Sequence, residues 1–157
     1  MATFKTFEDI DAWQMARRMT FQIYEVSKRS PFARDFGLQK QIRDASVSVL
    51  ANIAEGFERS GSREFQQFLA VAKGSAGEVI SHLYVALDQG YIDHEQFRRL
   101  EKVARDTGRK IGGLMSYLRN SGFRGPKYQT STKQQNHDRR LEPNARPETR
   151  DPRLERQ

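Results

Sequence analysis

Apolar positions recur every three or four residues in four successive runs along this chain, and short polar breaks separate the runs. The first run is Ile10, Trp13, Ala16, Thr20, Ile23 and Ser27, with Met19 and Tyr24 at its edges. Thr6, Glu8 and Asp9 supply a cap or a dipole complement, so the helix is expected to start near Thr6 to Asp9. Ser30-Pro31 breaks it. The second stripe runs Leu38, Ile42, Ala45, Val49, Ile53 and Phe57, with Gly37 close to its start. Ser60-Gly61-Ser62 ends that helix, and Gly61 or Ser62 can cap the next. The third run has the cleanest period: Phe65, Phe68/Leu69, Ala72, Ser75/Ala76, Val79, Leu83 and Ala86/Leu87, with Gly90 in the C′ role. Asp93 and Gln96 form a capping box for a fourth helix that buries Phe97, Leu100, Ala104, Thr107, Ile111, Leu114 and Leu118 and stops at Ser121-Gly122. There is no proline between Pro31 and Pro126, and no run alternates as a strand would. Four helices with short connections predict an all-α fold over residues 1–122, an antiparallel up-down-up-down four-helix bundle.

Two features depart from a plain bundle pattern. Ser48, Asn52, Glu55 and Arg59 recur at helical spacing inside an otherwise apolar segment. Left unpaired in a core, such groups cost about 1–3 kcal/mol each. A structural polar network is therefore expected, with Lys73, Ser75 and backbone near Gly74 as partners in the third helix. Gly56, Gly74, Gly77, Gly108, Gly112 and Gly113 also fall inside helices, at about 1 kcal/mol each relative to alanine. Close helix–helix approach, within the bundle or between subunits, is the expected compensation. Val47, Leu50, Ala51 and Ala54 lie off the core stripe of the second helix, which makes that helix apolar nearly all round. Such a helix is buried on more than one side, so self-association is expected.

Composition narrows the setting. At 157 residues the chain suits one domain with a proper core. It has no apolar run of about 18 residues, so no membrane span is expected. The start MATFKTFEDIDAWQ lacks the basic and apolar regions of a secretory signal, and the absence of cysteine excludes disulfides. Both fit a cytoplasmic protein. A net charge of +7 favours a polyanionic partner, commonly RNA or DNA. Residues 123–157 hold nine Lys/Arg against five acids, four of the five prolines, and Leu141, Ala145 and Leu154 as their only aliphatic hydrophobes. Such a segment cannot bury enough surface to offset its ordering entropy, and it is expected to be a disordered basic tail.

Candidate chemistry is sparse. Arg98, Lys102, Arg105 and Arg109 follow at steps of four, three and four, forming one stripe opposite Leu100, Ala104 and Ile111. Four cations over roughly 16 Å of helix can follow a phosphate backbone. Neutralising about four phosphates gives a log–log salt slope near −3 to −4. The plainer alternative is a solvated face, partly neutralised by Glu95, Glu101 and Asp106. The tail's cations are open to the same two readings. Ser48, Asn52, Glu55 and Arg59 form the only set that suggests a reaction, with a buried carboxylate as general base. No histidine, nucleophile elbow or phosphate loop accompanies it, so a network fixing helix register is the expectation, and no catalytic residue is assigned. His82, His94 and His137 share no ligand spacing, so no metal site is expected, nor any cofactor or small-molecule substrate. Trp13, Tyr24 and Tyr91 can stack on bases, yet at helical spacing they belong to a core.

The ordered set Trp13-Gln14-Met15-Ala16, Phe36-Gly37-Leu38, Gln41-Ile42-Arg43, Ala45 to Ser48 and above all Asn52-Ile53-Ala54-Glu55-Gly56 carries a family resemblance. Arg59, Glu64-Phe65, Phe68-Leu69, Ala72, Gly74-Ser75, Glu78 and Gly90-Tyr91-Ile92 extend it. Over about residues 4–120 the chain resembles the four-helix-bundle proteins encoded in intervening sequences of bacterial 23S ribosomal RNA, also labelled as an S23 ribosomal protein family. Asp44, Ser30 and Gly77 depart from the family pattern, and Asp44 removes a positive charge from the start of the second helix. The resemblance implies a homopentameric, barrel-like assembly without a settled biochemical activity. The fold is also similar to accessory proteins of diversity-generating retroelements, which bind nucleic acid. The expected function is a non-enzymatic homo-oligomer that associates with RNA or DNA through basic outer surfaces. Its rival is a protein-interaction scaffold, for example an accessory subunit to a nucleic-acid enzyme.

Overall fold

The computed structural model describes residues 4–122, so the expected tail over 123–157 lies outside the described residues. Four helices follow in order: α1 (Asp11–Ser27), α2 (Phe36–Glu58), α3 (Ser62–Asp88) and α4 (His94–Asn120). Short 3-10 turns, Phe7–Asp9 and Phe32–Arg34, precede α1 and α2. Each helix packs on the next in sequence, and α1 closes the four-helix bundle against α4. Among the described residues there is no strand.

The connections are held by side chains with definite tasks. Asp35 caps α2, accepting from the Leu38 N–H at 3.0 Å, while its second oxygen accepts from the Tyr91 hydroxyl at 3.1 Å. One carboxylate thereby ties the start of α2 to the α3–α4 connection. At the start of α4, the Asp93 N–H donates to Gln96 Oε1 at 2.9 Å and the Gln96 N–H to Asp93 Oδ1 at 2.7 Å. This reciprocal pair is the expected capping box. Ser60 turns the chain between α2 and α3 with φ 68°, a conformation that glycine or asparagine adopts more readily. Its buried hydroxyl donates to the Glu58 carbonyl at 3.0 Å.

The expected stripes of α2, α3 and α4 all point inward, from Leu38 to Phe57, Phe65 to Ala86 and Phe97 to Leu118. The face of α1 is rotated from its expected line. Met19, placed at an edge by the pattern, is fully buried with Ala12, Ala16, Ile23 and Val26, whereas Trp13 and Thr20 are only half-buried. Polarity explains the rotation: Thr20 sits at the flank, where its hydroxyl donates to the Ala16 carbonyl at 2.9 Å and lies 3.1 Å from that of Ser46 on α2. Trp13 packs edge-on against Phe7 with ring centroids 5.1 Å apart.

The glycines also divide. A Cβ on Gly56 would stand 2.7 Å from Phe68 Cβ and 2.8 Å from Phe65 Cδ2, so this glycine permits the close crossing of α2 and α3. Gly74, Gly77, Gly108 and Gly113 have open space at the same position, and Gly112 meets only the tip of Lys73. Close approach within the bundle accounts for one interior glycine of six.

Candidate nucleic-acid interface

The structure divides the expected polar network in two. Ser48 and Ser75 join α2 to α3 with hydroxyls 2.9 Å apart, and Asn52 Nδ2 donates to the Ser48 carbonyl at 2.8 Å and to its hydroxyl at 3.0 Å. Glu55 and Arg59, one turn on, are not part of this cluster. Their side chains are 48% and 51% exposed, and they pair with each other at 2.7 Å on the outside of the bundle. A carboxylate costs more to desolvate than one ion pair returns, which keeps both on the surface. Arg59 also reaches Glu64 across the α2–α3 turn at 3.3 Å and lies 5.1 Å from the Phe68 ring centroid. Hydrogen bonding to Glu55 first, and to Glu64 next, raises its pKa above the ordinary guanidinium value. Lys73 takes no part in either group. It leans the other way, with Nζ 3.7 Å from where a Cβ on Gly112 of α4 would stand.

Arg98, Lys102, Arg105 and Arg109 are all exposed along the outer side of α4. Two acids on the same helix hold three of them: Lys102 lies 2.6 Å and Arg109 2.9 Å from Asp106, and Arg105 lies 2.7 Å from Glu101. Arg98 makes no ion pair among the described residues. The hydrogen bond from Lys102, followed by its charge and that of Arg109, holds the Asp106 carboxyl below the usual carboxylate range. Exposed pairs of this kind contribute about 0–1 kcal/mol, so phosphate oxygens can replace the carboxylates at little cost. Across the whole helix seven cations face three acids, a net +4.

Other candidate groups sit elsewhere. Tyr91 stacks on Phe32 at 5.4 Å, whereas Tyr24 is 41% exposed and not in the core as expected, with the Arg43 guanidinium over its ring at 4.6 Å. His82 is half-buried on α3 and His94 opens α4, while His137 lies outside the described residues. No cluster of three or more metal-ligating side chains occurs among the described residues. No helix among them is long and apolar enough to cross a membrane. A hollow of about 740 Å³ opens between α1 and α4, with Ile10, Leu114 and Tyr117 in its lining and Asp9, Asp11, Asp106, Arg109 and Lys110 around it. Its mixed charge favours neither sign of ligand.

The architecture is that of an all-α four-helix bundle whose fourth helix presents a cationic outer surface. A family model described as "23S rRNA-intervening sequence protein" matches residues 8–113, and the chain belongs to that family. The bundle is similar to the crystal structure of a protein with unknown function from the S23 ribosomal protein family of Bacteroides thetaiotaomicron. The TM-score is 0.61 at 20% identity, over 66% of this chain and 97% of that chain. At that identity the likeness establishes the fold. No curated protein matches the sequence.

Proposed function

We propose that this protein is a non-enzymatic, self-associating bundle that binds RNA or DNA through the outer side of α4. The observation that carries the reading is the exposed stripe Arg98, Lys102, Arg105 and Arg109, whose carboxylate partners are replaceable by phosphate. Repetition of the stripe in an oligomer multiplies weak contacts into avidity. The apolar outer side of α2 supports self-association: Val47 is 42% exposed, and Leu50, Ala51 and Ala54 flank it. Five copies is the subunit number implied by the resemblance, and light scattering coupled to gel filtration tests it. Glu55, the one carboxylate considered as a base, is engaged by Arg59 in solvent, an arrangement suited to structure and not to proton abstraction. Fluorescence anisotropy with ribosomal RNA fragments across a salt series tests the binding. The expected log–log slope is about −3 to −4 for four phosphates. Absence of binding at low salt, or binding indifferent to salt, refutes it.

A second reading has its own support. Phe21, Phe36 and Val71 are 67%, 76% and 53% exposed, more apolar surface than the α2 patch alone supplies. A scaffold that docks another protein on these side chains would keep that partner after nuclease treatment of a pull-down, whereas a nucleic-acid bridge would release it.

A further inference from the structure

We infer that the polyanion is a single strand seated in the seam between α3 and α4, not laid along the crest of α4. This rests on the nucleic-acid reading above. Two hollows follow one another along the seam. The first, of about 290 Å³, has Lys73 of α3 on one side, Arg105 and Arg109 of α4 on the other, and Gly77, Gly108 and Gly112 in its lining. The second, of about 850 Å³, carries Arg63 and Arg119. Among the described residues no carboxylate lines either hollow. The hollows on the α1 side of α4 differ in kind, one carrying Asp9, Asp11 and Asp106 and the other Glu25. Five cations from two helices trace one path on this protein, with the Glu101 and Asp106 partners of Arg105 and Arg109 outside the lining, and the path spans about 21 Å of α4 from Arg105 to Arg119.

Lys73 gives the seam its character. It reaches across to Gly112 and forms no ion pair with the carboxylates that hold Arg105 and Arg109. A phosphate in the seam meets Lys73 without displacing any carboxylate. The floor glycines are helix-weakening residues, and within the protomer neither Gly77 nor Gly108 has a packing neighbour to justify it. Their missing side chains leave the space a sugar–phosphate chain needs. Helices packed about 8–10 Å between axes leave only a surface groove between them, which a single flexible sugar–phosphate chain can follow along its length and a stiff duplex cannot. At the upper end Tyr84, next to Arg105, is 47% exposed, and its ring is held against Phe97 at 4.7 Å. A fixed, half-open aromatic ring beside the phosphate path is a platform for an unpaired base.

The test uses the full chain with a labelled 20-nucleotide single strand of mixed sequence, and the matching duplex, in anisotropy titrations at 50 mM salt. The single strand is expected to bind more tightly than the duplex. Lys73→Ala is expected to weaken the single strand about eightfold and to flatten its salt slope by about 0.7, the signature of one lost phosphate. Gly108→Gln adds bulk without charge; it should raise Tm by about 2–4 °C through helix propensity while weakening binding at least about tenfold. Gly113→Gln, on the exposed side of α4 away from the seam, should raise Tm alike and leave affinity unchanged. Equal affinity for strand and duplex overturns the inference. So does wild-type affinity in both Lys73→Ala and Gly108→Gln when Arg98→Ala binds more weakly, and that result leaves the proposed function standing. A wild-type chain that binds neither probe overturns both.

Discussion

Replacing Gly56 by alanine isolates the one place where this bundle has no room for a side chain. The added Cβ would lie 2.7 Å from Phe68 Cβ and 2.8 Å from Phe65 Cδ2. Phe68 Cβ is bonded to the α3 backbone and cannot swing away. The Phe65 ring is buried and sits edge-on to Phe57 at 6.1 Å, so it has no free direction either. Restoring ordinary contact requires α2 and α3 to part by roughly 0.7 Å at the turn that joins them. Overpacking of this kind costs about 1–3 kcal/mol. Alanine returns up to about 1 kcal/mol of helix propensity. The net expectation is a loss of about 1–2 kcal/mol, since two rigid neighbours are struck at once. Gly74→Ala has open space around its Cβ and is expected to gain about 0.5–1 kcal/mol instead. Urea unfolding followed by circular dichroism, at one fixed protomer concentration, measures both variants. A Gly56→Ala variant as stable as the parent, with an unchanged m-value, refutes the packing argument. Opposite signs for one substitution at two sites of the same helix pair support it.

Three further outcomes follow from single side chains. Ser48→Ala strips a hydroxyl partner from both Asn52 and Ser75 and should cost about 1 kcal/mol; the Ser48→Ala/Ser75→Ala double variant should cost less than the sum of the singles, which a double-mutant cycle reads directly. Asp93→Ala removes the carboxylate half of the α4 capping box and should cost about 0.5–2 kcal/mol, seen as a lower Tm, with Asp93→Ser recovering most of it. Tyr91 has its pKa raised above 10.0, first by the hydrogen bond to Asp35, then by burial and by the Asp35 charge. Because the folded value exceeds the unfolded one, this contribution is complete below pH 10 and is lost as pH rises through the folded value. Absorbance at alkaline pH should therefore show a late-titrating tyrosine that Tyr91→Phe abolishes.

Much of the fold was legible because its signals are local. The α4 stripe, the Asp93/Gln96 box and the Gly90 stop each rest on residues within a few positions of one another, and the structure carries all three. Periodicity failed only at α1, where it ranks positions by angle alone and cannot know that Thr20 will find the Ser46 carbonyl at the flank. The polar network illustrates a second limit. Helical spacing put Asn52 and Glu55 on neighbouring angles of α2, but only the placement of α3 separates them, Asn52 joining the Ser48–Ser75 contact and Glu55 pairing with Arg59 in solvent. The seam was invisible for a similar reason. Lys73 is separated from Arg105 by thirty-two positions, and only the antiparallel packing of α3 on α4 brings them to one hollow. The sequence did contain a hint in Gly77, Gly108 and Gly112, whose propensity cost asks for a reason that helix period does not provide.

The distribution of small and charged residues assigns different work to different helices. Between Gly37 in its first turn and Gly56, α2 has no glycine, and its outer side offers Val47, Leu50 and Ala51, branched or methyl groups suited to packing against another apolar surface. The basic seam lies on the opposite pair of elements, α3 and α4, and its cations would be expensive to bury in a protein–protein contact without matching acids. A surface that both assembled subunits and bound phosphate would need to exchange one partner for the other. Here the two surfaces are separate, so on the readings proposed above assembly does not compete with nucleic acid for the same side chains. Each added copy then contributes another seam, and affinity for a long strand rises with subunit number while the salt dependence per seam stays fixed. A substitution that breaks self-association on α2, such as Val47→Glu, should therefore weaken binding to a long strand far more than binding to one short enough for a single seam. Equal weakening of both would mean that the α2 surface touches nucleic acid itself, and the division of labour between the helices would be wrong.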